Sequence, residues 1–292
     1  MSRRLQIALA LFAVYVIWGS TYVAMAIGVR HFPPYLMGGM RYAAAGAAIF
    51  CFLLLRGERW PDRRVWGSAL LSGILLLAIG NGAVNQAIVH VSSGLAALVI
   101  ASSSLFAALF ARFWGDSVSG REWAGIATGF VGVALLGVGT ELKADPFALM
   151  LLVLASASWA LGSIWSRHLP QPSSVWMASA TQLLCGGAVM LLVGALRGEQ
   201  LAMDVPYEGW LALAYLAVFG AVIAFSAYAF LLKHTRPALA TSTAYVNPVI
   251  AVALGALLLA EPVTGVEMLA MLLVLAGVVL VTTAAPKQKS RA

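Results

Sequence analysis

Ala260-Glu-Pro-Val-Thr-Gly-Val-Glu-Met268 repeats, in altered spelling, Gly115-Asp-Ser-Val-Ser-Gly-Arg-Glu-Trp123. Asp116 aligns with Glu261, Val118 with Val263, Ser119 with Thr264, Gly120 with Gly265 and Glu122 with Glu267. Further on, Gly132 aligns with Gly277, all at one spacing of about 145 residues and without a gap. Apolar residues match by chance in any hydrophobic chain. A glycine, two acids and a hydroxyl matched within one short loop are a different matter. The flanks agree: an apolar run and Thr241-Ser-Thr-Ala-Tyr-Val-Asn-Pro-Val249 precede the later loop, as Ala97-Leu-Val-Ile-Ala-Ser-Ser-Ser-Leu105 precedes the earlier. The chain carries a duplicated unit, with residues 1–140 as the first copy, 146–285 as the second and 286–292 as a tail.

The 292 residues are 62% hydrophobic and 10% charged, with a mean hydropathy of +0.92. A soluble domain carries about a quarter charged residues, so this composition reads as a multi-spanning membrane protein. Its apolar runs are near twenty residues and unbroken, which is the helical signature; a barrel alternates in segments of about ten. The net charge of +7 sits in short loops and at the chain ends. It therefore points to anionic headgroups and not to nucleic acid. Cys51 and Cys185 fall inside apolar runs and read as two small buried thiols, with no disulfide framework.

Ten spans are predicted: Leu5–Ile27, Tyr35–Leu55, Val65–Val89, Ser92–Ala111, Trp123–Gly139, Phe147–Ser166, Val175–Leu196, Trp210–Leu232, Ala238–Ala260 and Val266–Thr283. The start also looks like a signal peptide. However, its Trp18-Gly-Ser recurs as Trp159-Ala-Leu-Gly-Ser163 in the sixth span, so we read it as part of the fold. With the N-terminus in the cytoplasm, fourteen of the 18 Lys and Arg fall on the cytoplasmic side, among them Arg3, Arg59, Arg121, Lys233 and Lys289. Arg30, Lys143 and Arg197 fall outside, and Arg41 lies within a span. The positive-inside rule then predicts both termini in the cytoplasm of a multi-pass protein of the cell (inner/plasma) membrane. Five spans per copy is an odd number, so the second copy enters the bilayer upside down. The expected fold is all-α: two inverted five-helix repeats around a central cavity, the architecture many secondary transporters use.

Trp18-Gly-Ser-Thr-Tyr22, Arg41-Tyr42, Asn247-Pro248, Ala260-Glu-Pro-Val-Thr264 and Gly277-Val-Val-Leu280 occur in this order along the chain. In that order and repetition the sequence resembles the EamA branch of the drug/metabolite transporter superfamily, and is most similar to the YddG-type amino-acid exporters. The resemblance covers nearly the whole chain. It implies ten helices, a cavity between the halves, and efflux of amino acids or similar metabolites. Two positions depart from the family's pattern: Ser103 stands where proline is frequent and Asp116 where glutamate is usual.

Candidate binding residues follow from chemistry and spacing. Pro248 removes an N–H in mid-span and pushes against the carbonyl of Ala244; it is a kink that also bears on the solute path. Asn247 sits beside it, and Ser102, Ser103 and Ser104 are its counterpart in the first copy, of which at most two face one way. Trp18 shares a helix face with Thr21 and Tyr22, and Trp159 with Ser163. Asn81 and Asn85 share a face of the third span and must meet protein, water or solute. Tyr228 and Tyr245 add hydroxyl-bearing rings. Arg41, with Gln182 as its repeat partner, is open to snorkelling, a structural bond or a solute carboxylate. Gly125-x-x-x-Gly129 suits close helix packing within the protein or a dimer contact.

No Asp or Glu lies well inside a span. A membrane carboxylate for coupling protons or pairing with a cationic drug is therefore not expected. His31, His90, His168 and His234 fall in or beside loops, and no zinc pair or nucleophile motif accompanies them. The chain reads as a transporter and not an enzyme, with no catalytic residue, metal or cofactor. It is expected to export aromatic or other neutral amino acids and related small metabolites by alternating access. The first, third, fourth, sixth, eighth and ninth spans would move, and the fifth and tenth would brace. A multidrug or other metabolite permease is the alternative, and a channel the less favoured one. Its partners would be a small-molecule solute and the bilayer, without nucleic acid, and the duplication favours a monomer.

Overall fold

The computed structural model describes residues 2–114, 118–138, 145–166, 168–172, 174–235 and 243–283. Among these residues there is no strand. Helices α1 (Arg3–Gly28) and α2 (Pro34–Leu55) are followed by α3, which runs through Arg63–Gly73, Ile74–Asn81 and Gly82–Ile88. Helix α4 (Ser93–Ala101) resumes at Ser103–Ala111, and α5 (Gly120–Val138) ends the first copy. The second copy has α6 (Pro146–Ser166) and α7 (Val175–Leu196), then α8, made of Tyr207–Tyr215, Leu216–Ala224 and Phe225–His234. Helices α9 (Thr243–Leu259) and α10 (Gly265–Thr282) complete it. Eight of these are long and apolar enough to cross a membrane, and Val246–Leu259 within α9 is a shorter apolar stretch. In lipid a backbone must satisfy its own polar groups, and a helix does so within one segment. The predicted spans shift only at their ends, except that residues 238–242 of the ninth lie outside the described residues and the fourth is interrupted at Ser102.

The duplicated loop has a structural job. The Thr264 hydroxyl accepts from Glu267 N at 3.2 Å and the Glu267 carboxylate accepts from Thr264 N at 2.9 Å. In the first copy Ser119 and Glu122 make the same reciprocal pair, at 3.2 and 2.6 Å. Each is a capping box that closes the N-terminus of α10 or α5. Thr264→Ala and Ser119→Ala are each expected to lower stability by about 1 kcal/mol in denaturant unfolding of the detergent-solubilised protein. Equal midpoints for variant and wild type would contradict that role.

Two other carboxylates cap a helix that is not their own. Glu261 accepts from Ser93 N at 2.9 Å, Ser93 Oγ at 2.8 Å and Gly94 N at 3.4 Å, closing the start of α4. Ala260, at φ 53°, turns the chain out of α9 so that Glu261 reaches it. Glu199 accepts from Tyr35 N and Leu36 N at 3.3 and 2.8 Å, at the start of α2, where Pro33 and Pro34 offer no side-chain cap. Asp116, the counterpart of Glu261, lies outside the described residues.

The main packing pairs are α2 with α7, α5 with α10, α1 with α8 and α9, α6 with α3 and α4, α3 with α7, and α4 with α9. Exchanging each helix for the one five places away keeps most of this pairing: α1 with α9 becomes α6 with α4, and α1 with α8 becomes α6 with α3, whereas α3 with α7 becomes the weaker packing of α8 with α2. Small residues make the contacts possible. A Cβ on Gly46 would stand 2.7 Å from Leu184 N, and one on Gly125 would stand 2.7 Å from Gly277 O. Gly129 abuts Leu105 of α4, so the Gly125-x-x-x-Gly129 stripe packs within the protein. Cys51 is exposed on the outer surface and Cys185 is half-buried. The expectation of two buried thiols therefore fails, because lipid-facing helix surfaces accept small apolar side chains as readily as the interior does.

The sequence reading does not anticipate two π-helical stretches, Ile74–Asn81 in α3 and Leu216–Ala224 in α8. They occupy corresponding helices of the two copies. Such stretches leave carbonyls poorly matched within their own helix, and neighbours take them up: Ser158 of α6 donates to Leu75 O at 2.7 Å, and Trp18 of α1 donates through Nε1 to Gly220 O at 3.3 Å.

Candidate functional site

The two helices with π stretches, together with α1, α2, α4, α6 and α9, enclose a cavity of about 140 Å³, measured as space open to the centres of water molecules. Both copies contribute to its wall. From the first come Trp18, Tyr22, Arg41, Tyr42, Asn81 and Ser103; from the second, Trp159, Phe225, Thr243, Asn247 and Pro248. No residue of α5 or α10 lines it.

Each side chain is held by local structure. Trp18 is fixed by its bond to Gly220 O and by ring contacts with Phe225 at 5.6 Å and Tyr228 at 5.0 Å. Trp159 packs beside Gly80 of α3, where a Cβ would stand 3.5 Å from its ring. The Asn81 amide donates to Leu76 O at 3.4 Å within the π stretch. Asn247 lines the cavity one residue before Pro248, and its Oδ1 is buried without a partner. In α4 Ser103 stands where the second copy has proline, and the helix breaks here: Ser102 bonds its own turn, Oγ to Val99 O at 2.6 Å and N to Val99 O at 3.0 Å. That break turns Ser103 toward the cavity.

Of the twelve residues singled out from sequence, Trp18, Tyr22, Asn81, Ser103, Trp159, Asn247 and Pro248 border this one cavity. Asn85, Ser102, Ser163 and Tyr228 do not. Asn85 is fully buried and donates to Pro34 O at 3.1 Å, joining α3 to the start of α2. Ser102 turns its hydroxyl back on its own helix. Ser163 stands one turn beyond Trp159, past the end of the cavity. Tyr228 sits behind Trp18, in the cluster that joins α1 to α8. The Tyr245 side chain lies outside the described residues. The cavity also takes in Tyr42, Met25, Phe225 and Thr243, which sequence reasoning missed. The Arg41-Tyr42 pair was a usable signal for Tyr42. Nothing in the order of residues marks Phe225 or Met25.

Arg41 is 6% exposed, which discounts snorkelling to the surface. Its Nη2 donates to the Tyr42 hydroxyl, and its guanidinium carbon lies 4.3 Å from the Tyr42 ring centroid. A charge within a span costs free energy that rises toward mid-depth, where insertion scales give about 2.5–3.5 kcal/mol, and Arg41 is the eighth residue of α2. A residue kept at that cost, bordering a cavity with rings on one side and amides on another, suits binding of a small amphiphile. Among the described residues no three His, Cys, Asp or Glu side chains come together as a metal site.

A bundle of membrane-length helices around a solute-sized cavity lined from both halves defines a membrane transporter. The chain belongs to the EamA-like transporter family, which matches it twice, over residues 5–138 and 146–283. It is 44% identical to "Uncharacterized inner membrane transporter YedA" of Escherichia coli (strain K12) over 274 residues, which are 94% of this chain and 89% of that protein. It is 28% identical to the "Probable amino-acid metabolite efflux pump" of Salmonella typhimurium, over 90% of each chain. A solved crystal structure shares the fold at a TM-score of 0.67, with 24% identity, over 99% of this chain and all of the other.

Proposed function

We propose that the protein carries neutral or zwitterionic metabolites, amino acids foremost, out across the cell's inner membrane by alternating access. In this reading ten helices span the bilayer as two inverted five-helix repeats, and both termini are cytoplasmic. The observation that carries it is the cavity itself, walled by three corresponding pairs of helices, α1 and α6, α3 and α8, α4 and α9, with α2 in addition. Two supports come from the fold: most of the helix pairing survives exchange of the copies, and the π stretches recur in α3 and α8. Inverted repeats give two related outlines, one for each side of the membrane. Trp159 and Trp18 offer ring faces to an apolar side chain, while Asn81 and Asn247 offer polar contacts.

The test is counterflow of a panel of labelled amino acids in proteoliposomes. Saturable counterflow of at least one neutral amino acid is expected. Trp159→Ala should lower its kcat/KM at least tenfold, the loss of about 1.4 kcal/mol or more of ring contact. Conductance that never saturates would replace the carrier with a channel. Equal kcat/KM for variant and wild type would remove Trp159 from the solute path.

A further inference from the structure

Among the described residues no acid neutralises the charge of Arg41. Arg41 borders the cavity, and its Nε and Nη1 are buried without a partner. A guanidinium keeps its proton at any working pH, so it cannot become neutral on burial as a lysine can. The described acids lie in loops or at helix ends. Several are already engaged: Glu261 on α4, Glu199 on α2, Glu208 with His31, and Glu122 and Glu267 in their own capping boxes. None is within ion-pair distance of Arg41 among the described residues. A buried ion without a counter-charge is costly, so the missing charge is one that a solute can bring. The same cavity holds the complement, since the unpartnered Asn247 Oδ1 is an acceptor awaiting an N–H.

We propose that Arg41 anchors a carboxylate of the transported solute and that Asn247 receives an N–H from it. The cavity then selects amphiphiles bearing a carboxylate, amino acids among them, over amines of the same shape. Charge-assisted bonds from a guanidinium to a carboxylate supply both the attraction and the orientation. This inference rests on the transporter reading above.

The test uses the full-length protein in detergent, with the fluorescence of cavity tryptophans Trp18 and Trp159 as readout. The probes are L-phenylalanine, L-phenylalaninamide and 3-phenylpropionate. Wild type is expected to bind both carboxylates at least tenfold more tightly than the amide. Arg41→Gln should lose at least tenfold on the carboxylates and stay within twofold on the amide. Arg41→Lys, which keeps the charge without the planar fork, should keep part of the preference. The ratio of acid to amide is taken within one protein, so partial unfolding does not imitate the effect. Equal binding of acid and amide by wild type, no binding of either carboxylate, or an unchanged ratio in Arg41→Gln would overturn the anchor. Asn247→Leu should weaken L-phenylalanine at least fivefold and leave 3-phenylpropionate, which has no N–H, within twofold; equal losses on both would remove Asn247 from the proposal. Counterflow separates the two levels. If amines alone exchange, equally in wild type and Arg41→Gln, the anchor falls and the transporter reading stands. If nothing exchanges while carboxylate-selective binding disappears in Arg41→Gln, the reverse holds.

Discussion

Glu261→Ala is expected to destabilise the detergent-solubilised protein by about 3–5 kcal/mol, the sum of lost charge-assisted bonds and a lost helix cap. The carboxylate accepts three hydrogen bonds at the start of α4, from Ser93 N, Ser93 Oγ and Gly94 N. Ser93 is fully buried, so water cannot replace the lost acceptor. The positive end of the α4 dipole also loses its adjacent negative charge. Glu261 follows directly on α9 and precedes α10, so this one side chain ties three helices together at one end of the bundle. Glu261→Gln keeps a single acceptor without the charge and should cost about half as much. Denaturant unfolding followed by tryptophan fluorescence measures both variants. A loss under about 1 kcal/mol for Glu261→Ala would show that α4 is held by packing alone.

Gly277→Val should be nearly as damaging, for a reason with no electrostatics in it. A Cβ at Gly277 would stand 2.6 Å from Gly125 O, 2.7 Å from Gly129 N and 2.8 Å from Gly129 Cα. All three are backbone atoms, so no side chain can swing away, and α5 and α10 must separate. Overpacking of this kind costs about 1–3 kcal/mol and at times more. Gly265→Ala is the control: a Cβ there meets nothing within 4 Å, and its effect should stay within about 0.5 kcal/mol. Neither α5 nor α10 lines the cavity. Protein that survives Gly277→Val should therefore transport with an unchanged KM but unfold at lower denaturant. A changed KM with wild-type stability would mean that this helix pair takes part in moving the solute.

The membrane class and helical character were legible because hydrophobic run length is a local property, and so was the duplication, because it is written in the order of residues. The capping pairs Ser119–Glu122 and Thr264–Glu267 act over three residues, but in the sequence they were read only as matched positions of the duplicated loop. Pro248 announced a disturbance of α9, yet the helix runs unbroken through it from Thr243 to Leu259. The break at Ser102 in α4 carried no such sign, since it depends on a hydroxyl competing for Val99 O. Asn85 and Asn81 look alike on a helical wheel. Only the packing of α3 against the start of α2 gives one to Pro34 O and leaves the other at the cavity.

The sequence by itself determined that this is a duplicated helical membrane protein of a transporter family, because span length, periodicity and repeat spacing are set along the chain. Tertiary structure alone decided which polar side chains meet. The partners of Trp18, Glu261 and Glu199 lie 202, 168 and 164 residues away in the chain. Arg41 could be read as a snorkelling cation until the packed helices closed over it and left two of its nitrogens facing no partner. A membrane helix presents every residue on its surface to something, and only its neighbours decide whether that is lipid, backbone or an open cavity.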